Sequence, residues 1–287
     1  MTKIVFFGSS EYSLIVLQAL LKIPDFSLVA VVTKPDKPVG RNQTVTPNPV
    51  AKFAHDHHLL LLQPENFDKN FILKIRKLKI DLGLCVAYGP PFFTPEMVNI
   101  PKFKIVNIHP SPLPKYRGAT PGPWQIINGE TKSAVTFFQI DPLPDHGPLI
   151  SQLPFDISAD ETAHSFYLKA FTLAASKLKS ILESYISNAV PLMEQHHSQK
   201  SYYPKFTKDS AKIDWSWDTN KIYRFINALN PWPIAWTLVT NPSKDILRMK
   251  IFSSSIINRN LNFHLVQIEG KKPILWEDIK SYYRPIK

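Results

Sequence analysis

Asn107 and His109 stand two residues apart at the end of the apolar run Ile105-Val106-Asn107-Ile108-His109. In an extended strand, residues i and i+2 project from one face, so an amide and an imidazole leave that face together. The strand must then stop, because Pro110, Pro112 and Pro114 cannot carry a hydrogen-bonded ladder onward. Downstream, the strand-like run 134–140 is followed by the Pro-rich loop 141–147, which carries Asp145. An amide, an imidazole and a carboxylate that converge at the top of a sheet can stabilise an oxyanion, move a proton and orient the mover. An isolated Asn-x-His pair more often satisfies loop backbone at a strand end; the carboxylate after a neighbouring strand makes this one a candidate site.

No protein nucleophile accompanies these groups. Cys85, the single cysteine, lies inside Asp81-Leu-Gly-Leu-Cys-Val-Ala87, where a small buried hydrophobe is expected rather than a reactive thiol. There is no G-x-S-x-G elbow, and nothing in the spacing places Ser111 in a triad. What remains is direct transfer between two bound substrates.

The elements that must position these residues follow from periodicity. Strand signals at 3–7 and 27–33 flank a helical stretch at 13–21, which makes a βαβ unit. Helical patterns at 49–58 and 71–78 precede a strand at 82–87. Another strand ends at His109, a helix covers 121–128, and strands follow at 133–140 and 148–155. A long amphipathic helix runs from about 161 to 186, with Ser158 or Asp160 as its expected N-cap. Alternating strands and helices imply a Rossmann-like, mostly parallel sheet covered on both faces, in an α/β domain over 1–188. Residues 189–206 mix Pro, His, Gln, Ser and Tyr without periodicity and read as a linker. Beyond them, 207–287 holds a partial helix at 214–228 and short strands at 235–239, 248–257 and 262–267, which suggests a small β-barrel. The first turn lacks G-x-G-x-x-G, so no dinucleotide is expected.

Composition sets outer bounds. The chain has 287 residues, enough for two domains that each bury a core, and an ordinary hydrophobic share of 44%. One cysteine fits a reducing cytoplasm, no apolar run is long enough to span a bilayer, and Met1 leads directly into a strand, so a cytoplasmic protein without a leader is expected. His55, His57 and His58 complete no zinc spacing, and no metal is expected. The net charge of +11 is uneven: residues 200–287 hold 15 Lys and Arg against 7 Asp and Glu, a surplus of 8. Clustered positive charge is the footprint of a nucleic-acid partner, although a solvated basic surface fits the charge alone equally well.

Six stretches in one order resemble the methionyl-tRNA formyltransferases over nearly the whole chain. They are Met1–Glu11; the loop Thr33-Lys-Pro-Asp-Lys-Pro-Val-Gly-Arg41; Ala87-Tyr-Gly89; the Asn107/His109 stretch with Arg117-Gly-Ala119; Asp145-His-Gly147; and Asp214-Trp-Ser216 with Ala228-Leu-Asn-Pro-Trp-Pro233. The resemblance implies transfer of a formyl group from 10-formyltetrahydrofolate to the α-amine of methionyl initiator tRNA, by a monomer with an OB-like second domain. It implies Asn107, His109 and Asp145 as catalytic residues. Tyr88, Gly89, Ser111, Pro112, Leu113, Pro114 and Asp141 would meet the folate, with Tyr88, Gly89 and the loop Asp141–Pro144 forming the pterin wall largely by backbone groups. Arg41 would reach the tRNA acceptor stem, with Lys34, Lys37, Lys205 and Lys208 beside the nucleic acid. The chain departs from the family pattern at Pro112, Leu143, Pro144, His146 and Ile234. His146 is expected to point to solvent. The competing readings are a sugar-nucleotide formyltransferase, against which the basic tail and the 33–41 loop argue, and a non-catalytic tRNA-binding relative, against which the intact Asn107, His109 and Asp145 argue.

Overall fold

A computed structural model describes residues 1–39 and 43–286, which form two compact units. The first comprises 1–117, 134–155 and 168–202; the second comprises 118–133, 156–167 and 203–287.

The first unit is built on β1 (Thr2–Gly8), α1 (Glu11–Leu21) and β2 (Phe26–Val32), then the short ribbon β3 (Lys37–Val39) and β4 (Thr44–Thr46). Next come α2 (Pro49–Asp56), β5 (Leu61–Leu62), α3 (Lys69–Lys77), β6 (Leu82–Val86), the single turn α4 (Pro95–Val98) and β7 (Ile105–His109). After α5 (Pro121–Ile127), which belongs to the second unit, follow β8 (Lys132–Gln139), β9 (Leu149–Asp156) and the 24-residue α6 (Ala163–Ile186), whose first five residues also belong to the second unit. The sheet order is β5-β2-β1-β6-β7-β8-β9, parallel from β5 to β7. The buried runs in β1 and β6 carry no polar alternation, as strands covered on both faces require. Between sheet and helices lies a cluster of Phe7, Phe67, Phe71, Ile75, Tyr88 and Met97 with their aliphatic neighbours.

Helix starts follow sequence chemistry. Ser10 and Ser13 form a capping box at α1, Asn48 caps α2 with Pro49 in the first turn, and Asp68 caps α3 through the Phe71 N–H. At α6, Thr162 and Ser165 exchange side-chain-to-backbone hydrogen bonds, a box in place of the expected Ser158 or Asp160 cap. Lys37–Val39 and Thr44–Thr46 pair as a ribbon, and the carbonyl of Lys34 at its base accepts hydrogen bonds from Asn48 and Gln63.

The second unit carries α7 (Thr219–Ala228), capped by Asp218, and the strands β10 (Trp236–Thr240), β11 (Ile246–Ile251), β12 (Ser254–Ile257), β13 (Asn260–Phe263) and β14 (Leu265–Ile268). It ends with β15 (Ile274–Leu275), the turn α8 (Trp276–Ile279) and β16 (Arg284–Pro285). An antiparallel sheet runs β15-β14-β11-β10-β16, with β12 and β13 as a separate ribbon. This is the small short-stranded β architecture expected from the sequence, except that the expected strand 248–257 breaks into β11 and β12. No helix among the described residues is long and apolar enough to cross a membrane.

Candidate active site

Asn107 lies in β7 opposite Cys85 of β6 and Phe138 of β8, and His109 closes the strand. Strand alternation puts both side chains on the face that Cys85 shares. Burial pushes the Cys85 thiol up to about 12, and the Asp145 carboxylate adds to the rise.

The route by which Asp145 arrives differs from the sequence expectation. β8 runs antiparallel to β7, so the loop after it begins beside the start of β7, where Ile140 N–H donates to the Ile105 carbonyl. The loop then folds back over the sheet face, so the carboxylate is not delivered from the top of a parallel strand. It brings Asp145 Oδ1 to 3.7 Å from His109 Nδ1. Asp145 itself sits at φ 49°, in the left-handed region. Gly147 is obligatory in this path, since a Cβ there would lie 1.9 Å from the Gln139 carbonyl oxygen.

The other ring nitrogen of His109 is committed. Nε2 lies 3.0 Å from the Tyr116 carbonyl, which can only accept, so Nε2 carries the proton and Nδ1 is the nitrogen open to proton movement. Nδ1 in turn faces the Asp145 carboxylate. His109 is buried, with 7% of its side chain accessible, whereas 17% of the Asp145 side chain is.

The residues expected to meet the folate fall into two kinds. Gly89, at φ 73°, and Asp141 remain partly or wholly open on the surface. Tyr88 packs its ring among Phe7, Phe67 and Phe93 and is 2% exposed, so only its backbone can face a ligand. Ser111 is fully buried, and its hydroxyl donates to the Lys115 carbonyl. Leu113 packs on Phe138 and Leu149, while Pro112 and Pro114 are partly exposed. Burial thus assigns Ser111 and Leu113 to shaping the turn, with contact left to its prolines and backbone. The Lys34 ammonium lies against Gly89, where an added Cβ would be 2.8 Å from Nζ. Lys37 is exposed on the ribbon, and Arg41 lies outside the described residues. Lys205 and Lys208 are exposed on the second unit, Lys205 with its ammonium 5.9 Å above the Trp232 ring.

His146 does not simply point to solvent. Its Nδ1 is 2.5 Å from Asp141 Oδ2, and its ring stacks on His197 at a centroid distance of 4.1 Å. Sequence reasoning missed the segment 193–202, which was expected to be a linker but belongs to the first unit. Met193 bridges to Leu149, Ser201 Oγ accepts from Tyr116 N–H, and Ser201 O accepts from Arg117 N–H. Gln195 is buried, and its amide N–H groups donate to the carbonyls of Asp145 and Gly147. The Arg117 guanidinium, also buried, donates to Gln195 Oε1 at 2.6 Å and to His197 Nδ1 at 2.9 Å. Burial lowers the Arg117 pKa, while Asp145 and Asp141 act in the opposite sense. A polar, non-periodic stretch gives no pattern signal for this role.

A Rossmann-type sheet bearing an amide, an imidazole and a carboxylate over one face, followed by a small β domain, places the chain among two-domain α/β group transferases. Residues 2–181 match the formyl transferase family, and residues 205–264 match the formyl transferase C-terminal domain. Methionyl-tRNA formyltransferase of Alkaliphilus oremlandii is 36% identical over 270 residues, covering 94% of this chain and 84% of that protein. The corresponding protein of Acetivibrio thermocellus is 34% identical, covering 91% and 82%. Among solved structures, methionyl-tRNA formyltransferase from Clostridium thermocellum superposes with a TM-score of 0.63 at 14% identity, covering 93% of this chain and 99% of that one. A sugar 3N-formyl transferase, WlaRD, does so with 0.65 at 22%, covering 96% and 97%. At such identities the structural likeness speaks to fold alone. The chain belongs to the formyl transferase family, and it is an enzyme.

Proposed function

We propose that this enzyme transfers the formyl group of 10-formyltetrahydrofolate to the α-amine of methionine esterified to initiator tRNA. The observation that carries the reading is His109 Nδ1 lying 3.7 Å from Asp145 Oδ1, with Asn107 two residues before His109 in β7, in a chain whose relatives are methionyl-tRNA formyltransferases. The amine nitrogen attacks the formyl carbon, and the carbonyl oxygen becomes an oxyanion. The bond from that carbon to folate N10 then breaks, the attacking nitrogen loses a proton, and N10 gains one. Formylmethionyl-tRNA and tetrahydrofolate leave.

Asn107 donates its amide N–H to the developing oxyanion, a contact of a kind whose removal typically costs about 3–4 kcal/mol. His109 acts through Nδ1, since Nε2 is held by Tyr116. Asp145 balances the imidazolium and relieves the attacking amine of its proton. The left-handed Gly89 leaves backbone open beside Lys34, a place where the flat pterin meets main chain rather than a side chain. Lys34, Lys37 and Arg41, with Lys205 and Lys208, contact tRNA phosphates. The enzyme works as a cytoplasmic monomer, in domains 1–188 and 207–287.

The test is labelled formyl transfer onto charged initiator tRNA, with an amino-sugar nucleotide as control acceptor. Transfer to the tRNA alone is expected. Transfer to the sugar alone overturns the reading of the acceptor, and transfer to neither overturns catalysis.

A further inference from the structure

Asp145 lies at φ 49°, a left-handed conformation uncommon outside glycine that aspartate tolerates better than most residues, and its surroundings hold it there. The surroundings here centre on one side chain. Gln195 Nε2 donates to the Asp145 carbonyl at 3.0 Å and to the Gly147 carbonyl at 2.7 Å, using both of its hydrogens. Gln195 Oε1 receives the Arg117 guanidinium at 2.6 Å, and only this orientation of the amide satisfies all three partners. The group is 4% exposed, so water does not substitute for the contacts.

Arg117 is tied in turn. Its backbone N–H donates to the Ser201 carbonyl, and the preceding Tyr116, whose carbonyl holds His109, donates its N–H to Ser201 Oγ. One short segment, Gln195 to Ser201, therefore grips both the loop that carries Asp145 and the turn that carries the anchor of His109.

We propose that Gln195 is a positioning residue for formyl transfer: it sets the Asp145 carboxylate against His109 through the 145–147 backbone, with Arg117 fixing the amide. The proposal rests on the reading of Asp145 as a catalytic group. Gln195 acts on that residue and not on substrate, so its effect must vanish when Asp145 no longer works. A misplacement of about 1 Å in a catalytic group costs on the order of 100-fold in rate, the scale expected on release of the clamp.

A double-mutant cycle in the full-length enzyme tests this, with 10-formyltetrahydrofolate and methionyl-tRNA as substrates. Gln195→Met keeps the length and removes all three hydrogen bonds. It should lower kcat by roughly 10- to 100-fold while KM for tRNA stays within about twofold. In an Asp145→Asn background the same change should cost less than about twofold further. Gln195→Glu, which keeps an acceptor for Arg117 but turns a carboxylate toward two carbonyls, should fold with a lowered melting temperature and be slow in the same way. An equal loss from Gln195→Met in both backgrounds, or no loss from Gln195→Glu, overturns the proposal while leaving the catalytic reading intact. Wild-type turnover in Asp145→Asn alone overturns that reading, and the positioning role with it.

Discussion

Gly147→Ala isolates the geometry of the catalytic loop with a single methyl group. An alanine Cβ would sit 1.9 Å from the Gln139 carbonyl oxygen and 3.3 Å from the Asp141 amide nitrogen, whereas real Cβ contacts essentially never fall under 3.0 Å. The strand side cannot yield: Gln139 N–H is bonded to the Pro148 carbonyl, and its side chain receives the Tyr185 hydroxyl. The loop must therefore move back by about 1 Å, which stretches the 2.7 Å bond from Gln195 and carries Asp145 away from His109. A shift of that size costs on the order of 100-fold in rate, or about 2.7 kcal/mol of transition-state stabilisation. Overpacking of a well-filled site adds about 1–3 kcal/mol of lost stability. Steady-state formyl transfer and a thermal melt measure the two effects separately. The expected result is a large fall in kcat, little change in KM for tRNA, and a melting temperature lowered by several degrees. A kcat within twofold of wild type would refute the claim that the 145–147 backbone fixes the carboxylate.

Ile234 is buried yet lies at φ 69°, a genuine outlier for a β-branched residue. Ile234→Ala should lose about 2–5 kcal/mol of stability, and Ile234→Gly should be more stable than the alanine variant by about 1 kcal/mol, reversing the usual order; chemical denaturation measures the order, and the usual one would contradict the strain. Burial first, and then the neighbouring His146 and Arg117 charges, lower the His197 pKa. Folding thus favours its neutral form, so the stabilisation is present above about pH 6.5 and is lost as pH falls through the lowered folded value. His197→Gln, which still accepts from Arg117, should shrink the drop in melting temperature between neutral and acid pH, and an undiminished drop would refute the assignment. Arg41→Ala should weaken tRNA binding, leave binding of a folate analogue unchanged, and reduce the salt slope of tRNA affinity by roughly one unit; an unchanged slope would remove Arg41 from the interface.

Much of this was legible in the sequence because it is local. The Asn107/His109 spacing follows from strand alternation, and the end of β7 from its prolines. What stayed hidden depends on long-range pairing. Nothing local to residues 133–140 says that β8 runs antiparallel, so the path by which Asp145 reaches His109 could not be read. Gln195 contacts residues 78 and 50 positions away, and a buried amide in a polar stretch looks like any linker residue until those partners are placed. Periodicity likewise could not show that Tyr88 turns its ring into the core.

The central claim is that Asn107, His109 and Asp145 carry the chemistry together. Turnover of Asn107→Ala, His109→Ala and Asp145→Ala in formyl transfer to methionyl-tRNA, each checked for intact folding, tests it most directly. Each should lose at least about 100-fold in kcat, and the triple variant should be scarcely slower than the worst single one, since groups acting as a unit are not additive. Near-wild-type turnover in any one of the three contradicts the account.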